Sequence, residues 1–407
     1  MRKTAINLFS VIGGEVLLRL ANFAAVVVMA RLYGASVLGI YATVLAFATV
    51  ATLAADNGLQ IATVREVTGR IDQVNRVVTS LYAVKTLLLI PAILVLAVIF
   101  RLRDINTFAW VIAAFVVGRT VLQSYGQLQM AILKSLDRML PIGIIQAVHS
   151  AILLLCIGVV FYLQLPLPVL LLALVSGQTI ELILSLIFIR RAEVGASRIS
   201  FAECRGLLKR STPVGLAYGM ASLILRMDVI VLSSLAVAEV VGHFAGAHMI
   251  LTFAYVVAWL FGSVLLPDMV RLSTSLERFQ QYVNRWSTIT FVATIPFACM
   301  FLVGAPTLMP ILYGRDFIDT GKYLAILGLA IPFILNNALY FHRAIALSAT
   351  SAFLGTYAAT AVVALILSLT LGSSFGATGI AAAIVIREVV MFAIFRTLAY
   401  REALQPA

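Results

Sequence analysis

The chain has 407 residues, 62% of them hydrophobic and only 11% charged, with a mean hydropathy of +1.07. A soluble domain carries about 25% charged residues, so this composition excludes one and implies an all-α polytopic membrane protein. The net charge of +12 follows the loops rather than a folded basic face, so nucleic acid is not an expected partner.

Apolar runs of about 20 residues, the length that crosses roughly 30 Å of hydrocarbon, recur twelve times: 7–30, 37–57, 78–100, 107–132, 142–163, 168–189, 213–235, 240–266, 285–304, 322–346, 352–372 and 376–397. The first follows Arg2 and Lys3 and imitates a secretory signal. Glu15 and Arg19 interrupt it and no small-residue cleavage site follows, so it reads as a retained first span. Glu15 and Arg19 stand four apart on one helix face. They form an ion pair, or Arg19 meets substrate while Glu15 is a pairing or ion-coupling acid.

In the third span Lys85 has a stem long enough to snorkel to the interface, which is the expected arrangement. In the fourth, Arg119, Gln123 and Gln127 recur every four residues. That polar stripe must face protein or water rather than lipid. The fifth span holds Gln146 and His149, and the sixth Gln178 and Glu181. Glu181 is a deep carboxylate suited to a proton or sodium ion, or to pairing with an embedded cation.

A basic loop at 190–212, the longest between spans, divides the chain into two six-helix lobes, 1–200 and 201–407. No loop is long enough for a separate domain. In the seventh span Arg226 and Asp228 are two apart and do not share a face, so each needs a partner elsewhere; Asp228 is a second candidate for ion coupling. In the tenth, Asn336, Asn337 and Tyr340 form a polar cluster. In the twelfth, adjacent Arg387 and Glu388 should point differently, leaving Arg387 to face a cavity. Pro91, Pro213, Pro296 and Pro332 lie in or at the start of spans, where kinks are expected. His243 and His248, with Glu239 nearby, lack a one-face ligand spacing, so no metal site is expected. Cys156, Cys204 and Cys299 make no disulfide framework.

Of the 29 Lys and Arg residues, 19 fall on the side of the termini, five on the other and five inside spans. By the positive-inside rule both termini are cytoplasmic, with anionic lipids as neighbours. The halves also show a faint repeat. Leu18-Arg19-Leu20 and Gly39-Ile40-Tyr41 in the first correspond to Leu225-Arg226-Met227 and Gly242-His243-Phe244 in the second. Six spans per half makes the repeats parallel, with a substrate site expected between them near the midplane.

The five embedded cations are Arg19, Lys85, Arg119, Arg226 and Arg387. Each costs at least roughly 2.5–3.5 kcal/mol at the bilayer centre unless compensated. Guanidinium stays charged and meets two phosphate oxygens at once, so Arg19, Arg119, Arg226 and Arg387, with Gln123 and Gln127, are candidates to bind an anion such as a diphosphate. Enzyme signatures are missing: there is no Asp-x-Asp, no His-Glu-x-x-His, and Gly321-Lys322 lacks the rest of a phosphate loop. A transporter needs no catalytic residue and no cofactor, beyond coupling to a proton or sodium gradient.

Several stretches carry a family resemblance. They are Arg31-Leu-Tyr-Gly-Ala-Ser-Val-Leu-Gly-Ile-Tyr41, Ala55-Asp56-Asn-Gly-Leu59, Val64-Arg65-Glu66, Arg226-Met-Asp228, Val241-Gly242-His-Phe244, Leu266-Pro267 and Ile311-Leu-Tyr-Gly314-Arg-Asp-Phe317, together with Pro213. In this order, across nearly the whole chain, they resemble Wzx-type polysaccharide flippases of the multidrug, oligosaccharidyl-lipid and polysaccharide exporter superfamily. The resemblance implies a V-shaped two-lobed bundle in the bacterial inner membrane. It would flip an undecaprenyl-diphosphate-linked oligosaccharide by alternating access, beside a polysaccharide polymerase and chain-length proteins. Lipid II flippases of the superfamily usually have two further spans. A proton- or sodium-coupled small-molecule exporter, resting on Glu181 or Asp228, is the alternative, and a scaffold for a synthase complex is a third reading.

Overall fold

The computed structural model describes residues 2–56, 58–68, 73–103, 105–347 and 350–404. Asn57 and the side chains of Arg2, Lys3 and Pro213 lie outside the described residues. Among these the secondary structure is helical throughout, as hydrocarbon demands of a chain that must satisfy its own backbone. The helices are α1 Arg2–Asp56, α2 Leu59–Thr68, α3 Val74–Leu102, α4 Thr107–Ser135, α5 Met139–Leu163, α6 Leu167–Arg190, α7 Phe201–Leu235, α8 Ala238–Leu272, α9 Leu276–Tyr313, α10 Thr320–Gly328, α11 Ile331–Ala346 and α12 Thr350–Leu404, with a 3-10 turn at Arg315–Phe317.

Each expected apolar segment falls on helix, but not one to one. α1 holds two arms broken at Gly34 (φ 81°, ψ 177°) and α12 two arms broken at Gly376 (φ 58°, ψ −137°). Both are backbone conformations that a Cβ disfavours and glycine adopts freely. The segment expected as one span at 322–346 is instead α10 and α11, bent by 45°. Pro332 stands in the first turn of α11, where its missing N–H costs nothing at a helix start and would break a helix interior. Pro296, Pro306 and Pro310 lie within a continuous α9. Among the described residues eight helices are long and apolar enough to cross a membrane, nine with the bent pair.

The chain forms two compact units, Met1–Tyr33 with Ile40–Arg226, and Gly34–Gly39 with Met227–Ala407. They part inside α7 rather than in the 190–212 loop. The first half of α7 packs into the first unit: Leu207 is fully buried in a core with Leu81, Leu128 and Leu133. Gly58 (φ 72°) lies against the Gly215 backbone, and Arg210 Nε bonds Glu66 at 2.7 Å. Elsewhere in this unit the α4 N-terminus is capped by Asn106, which accepts from Ala109 N at 2.8 Å. The face of α3 carrying Leu87, Leu94 and Val95 is exposed, as a lipid-facing surface must be.

In the second unit Leu265, Met269, Phe279, Val283, Leu339, Tyr340, Met391 and Phe395 form a core shared by α8, α9, α11 and α12. Gly39 and Gly242, the paired positions of the sequence repeat, lie at one tight crossing within this unit. A methyl on Gly39 would strike the Ala238 carbonyl oxygen, and one on Gly242 the Ala35 carbonyl oxygen.

Candidate functional site

The five embedded cations sort by what they touch. Lys85 is fully buried and its Nζ lies 2.5 Å from Asp56 Oδ1. The expectation that it snorkels is therefore corrected: its stem reaches a carboxylate at the end of α1 instead of water. Arg19 Nη2 pairs with Glu15 at 2.7 Å, and Glu15 also accepts from Gln146 Nε2 at 3.0 Å. This pair is about two-fifths exposed and joins α1 to α5.

Arg387, only 1% exposed, sits at the centre of a closed network in the second unit. Its Nη1 donates to Asp228 Oδ2 at 2.7 Å, and its Nη2 to Glu388 Oε1 at 3.2 Å and to the Tyr255 hydroxyl at 3.1 Å. The outer lone pairs are filled too: Ser368 donates to Asp228 at 3.0 Å, and Asn337 Nδ2 to Glu388 Oε2 at 2.8 Å. Arg387 and Glu388 thus bond each other, where their adjacency suggested divergence. The guanidinium already faces two carboxylates, so its charge is balanced within the network. Asp228, expected to need a partner other than Arg226, finds it here.

Arg119 and Arg226 differ from the other three. Among the described residues neither forms an ion pair; Arg119 bonds the Tyr41 hydroxyl, and Arg226 lies within its electrostatic reach. Arg119 Nη1 donates to Tyr41 Oη at 2.8 Å and its Nη2 to Asn22 Oδ1, while Arg226 interacts electrostatically with the same Tyr41. The Asn22 amide donates to Leu18 O at 2.8 Å, which fixes its oxygen toward the arginine. Arg119 is 9% exposed, and its Nε is buried with no hydrogen-bond partner. All four residues belong to the first unit, as does Arg19 one turn before Asn22; Arg387 belongs to the second.

Two embedded positive charges with no acid among the described residues to pair with are costly unless an anion completes them. A guanidinium with an unused donor offers that anion a directed, charge-assisted bond. Gln123, half-buried, stands one turn from Arg119 on α4. Gln127 is exposed and accepts from Gln60 Nε2 at 2.6 Å, so the far end of the stripe is tied to α2.

Glu181 pairs with His149 at 2.6 Å, both buried, rather than with any of the five embedded cations. Sequence reasoning missed Asn22 and Tyr41 as members of the site. Asn22 extends the Glu15–Arg19 face by one turn and was legible on that ground; nothing in the sequence aims Tyr41 at α4.

A protein-family model described as polysaccharide biosynthesis protein matches residues 5–273. No curated protein matches the chain. Among solved structures, the chain is similar to an inward-facing multidrug resistance MATE family transporter of the MOP superfamily, with a TM-score of 0.76 and 14% identity over 96% of each chain. It is also similar to the lipid II flippase MurJ in an inward closed conformation, with a TM-score of 0.77 and 13% identity over 97% of this chain and 87% of that one. A third is a MOP superfamily transporter from Pyrococcus furiosus, described as having a binding pocket of reverse polarity (TM-score 0.68, 14% identity, 98% and 94% covered). At such identities the likeness is one of fold.

Proposed function

The chain belongs to the polysaccharide biosynthesis protein family of the MOP superfamily, and from that premise we propose that it flips an undecaprenyl-diphosphate-linked oligosaccharide across the bacterial inner membrane. It is a multi-pass membrane transporter by family and fold. The observation that carries the finer reading is the cluster of Arg119, Tyr41, Asn22 and Arg226, with two embedded guanidinium groups that have no carboxylate partner among the described residues.

In this reading the diphosphate replaces the missing counter-charge. Its oxygens take the free Arg119 donor and the Arg226 guanidinium, while Asn22 and Tyr41 hold Arg119 in the orientation that receives them. Gln123 extends the polar surface toward the sugar, and Arg19, already neutralised by Glu15, shapes the approach. The lipid tail stays in the bilayer and alternating access carries the head across. In this reading both termini are cytoplasmic, which the bias of loop arginines and lysines supports, and membrane lipids, a polymerase and chain-length proteins are the partners.

A small-molecule exporter driven by protons or sodium would need an acid to spare. Asp228 is bonded by Arg387 and Ser368, Glu15 by Arg19 and Gln146, and Glu181 by His149.

The test replaces Arg119 and Arg226 by alanine, singly and together, in cells that export the polymer. Loss of surface polymer with lipid-linked repeat units held on the cytoplasmic side is the expected result. Normal export by the double variant overturns the assignment.

A further inference from the structure

On the reading that Arg119 and Arg226 receive the diphosphate, we propose that Arg19 is a third ligand of that anion and that Glu15 governs its release. Glu15 gives Arg19 up as the diphosphate arrives and takes it back as the diphosphate leaves.

The ion pairs that hold embedded cations differ in exposure. The side chains of Arg387 and Asp228 are each 1% exposed and those of Lys85 and Asp56 are 0% and 10% exposed, whereas those of Arg19 and Glu15 are 42% and 41% exposed. A charged pair on a spanning helix opens on water and not on hydrocarbon. In water such a pair holds weakly, so Arg19 and Glu15 are the partners that a competing anion can part.

The carboxylate has somewhere to stay. Glu15 also accepts from Gln146 Nε2 at 3.0 Å, and it keeps that bond when Arg19 leaves. Gln146 is 8% exposed, and its Oε1 is buried with no hydrogen-bond partner, which commits the amide to Glu15. Around this bond α1 and α5 are packed backbone to backbone. A methyl on Gly14 would stand 3.2 Å from the Gly143 carbonyl oxygen, and one on Gly143 would stand 2.6 Å from that of Ser10. The exchange is therefore one of side chains on a fixed frame.

Arg19 has a donor to spare, because its Nε is buried with no hydrogen-bond partner. It stands three residues, about 4.5 Å of helix axis, before Asn22. The Asn22 Oδ1 accepts from Arg119, so a released Arg19 is near enough to bring its guanidinium to an anion held there.

Three guanidinium groups around one diphosphate would bind it too tightly for a carrier that must also let it go. A carboxylate within reach of one of them subtracts from that affinity. The anion displaces it on the way in, and it competes for Arg19 on the way out.

The experiment follows undecaprenyl diphosphate on the full-length protein in detergent by native mass spectrometry, with its dissociation after dilution, beside polymer export in cells. Glu15→Gln keeps a carbonyl that accepts from Gln146 but removes the charge that competes for Arg19. Retention should tighten about tenfold and dissociation slow to match, while export falls. Adding Arg19→Gln should abolish the tightening. A Glu15 that only neutralised Arg19 for folding would, when replaced, lower retention, folded amount and export together. If Glu15→Gln fails to fold, Glu15→Asp, which draws the charge back from Arg19, should tighten retention by a smaller factor.

Unchanged or weaker retention in the folded Glu15 variant overturns the proposal, and so does a tightening that survives Arg19→Gln. Arg119→Ala tells this failure from that of the underlying reading. If it retains undecaprenyl diphosphate as the parent does, the anion is not held at Arg119 and both fall. If it weakens retention while the Glu15 variant does not strengthen it, only the role of Glu15 is lost.

Discussion

Gly39 and Gly242 pack reciprocally: a Cβ added to Gly39 would stand 2.8 Å from the backbone nitrogen of Gly242, and one added to Gly242 would stand 3.0 Å from that of Gly39. Each also abuts the carbonyl four residues before the other, Ala238 and Ala35. Two residues that correspond in a sequence repeat and touch each other in this matched way are what a local two-fold relation produces.

Because backbone lies on the far side of each contact, no side chain can move to make room. Gly39→Ala and Gly242→Ala should each destabilise the protein by about 1–3 kcal/mol or more. Gly158, with nothing near its Cβ position, is the control, and Gly158→Ala should melt no lower than the parent. Melting curves of the three purified variants decide it.

Lys85 and Asp56 neutralise each other in a dry setting. Lys85→Met or Asp56→Leu alone strands a buried charge and should cost about 3–5 kcal/mol. The double variant should recover much of that loss, because a well-packed apolar pair replaces a buried ion pair at little cost. A double variant less stable than both singles in a melting assay would show that the pair does more than cancel charge.

Arg226 and Arg387 are both embedded, yet their loss should read differently. Arg387→Met leaves Asp228 and Glu388 facing each other without their cation and should reduce folded protein in the membrane. Arg226→Met removes a charge that no acid among the described residues balances, so the folded amount should hold or rise while polymer export falls. Quantifying both outputs for each variant separates a structural cation from a working one.

Tyr41→Phe keeps the ring and removes the hydroxyl that Arg119 bonds and that lies within electrostatic reach of Arg226. A hydrogen bond to a charged group is worth about 1.5–3 kcal/mol, so export should fall roughly tenfold or more with the protein still folded. Unchanged export in Tyr41→Phe would remove Tyr41 from the site.

The spans were legible because every crossing requires its own apolar run, and the embedded cations were legible because they interrupt those runs. Their partners were not. Arg119 reaches Tyr41 across 78 positions and Arg387 reaches Asp228 across 159, distances at which helix periodicity carries no information. Lys85 shows the limit clearly: stem length and depth argue for snorkelling, and only the position of Asp56 decides against it. The break at Pro332 was readable as a kink, but that one apolar segment becomes two helices depends on how α10 and α11 pack.

α7 runs unbroken from Phe201 to Leu235, and Arg226 and Asp228 stand on it two residues apart, on nearly opposite sides. Among the described residues Arg226 meets no acid, while Asp228 is already bonded to Arg387 and Ser368. The two side chains leave one helix on different faces, so Arg226 can be exchanged without touching either partner of Asp228.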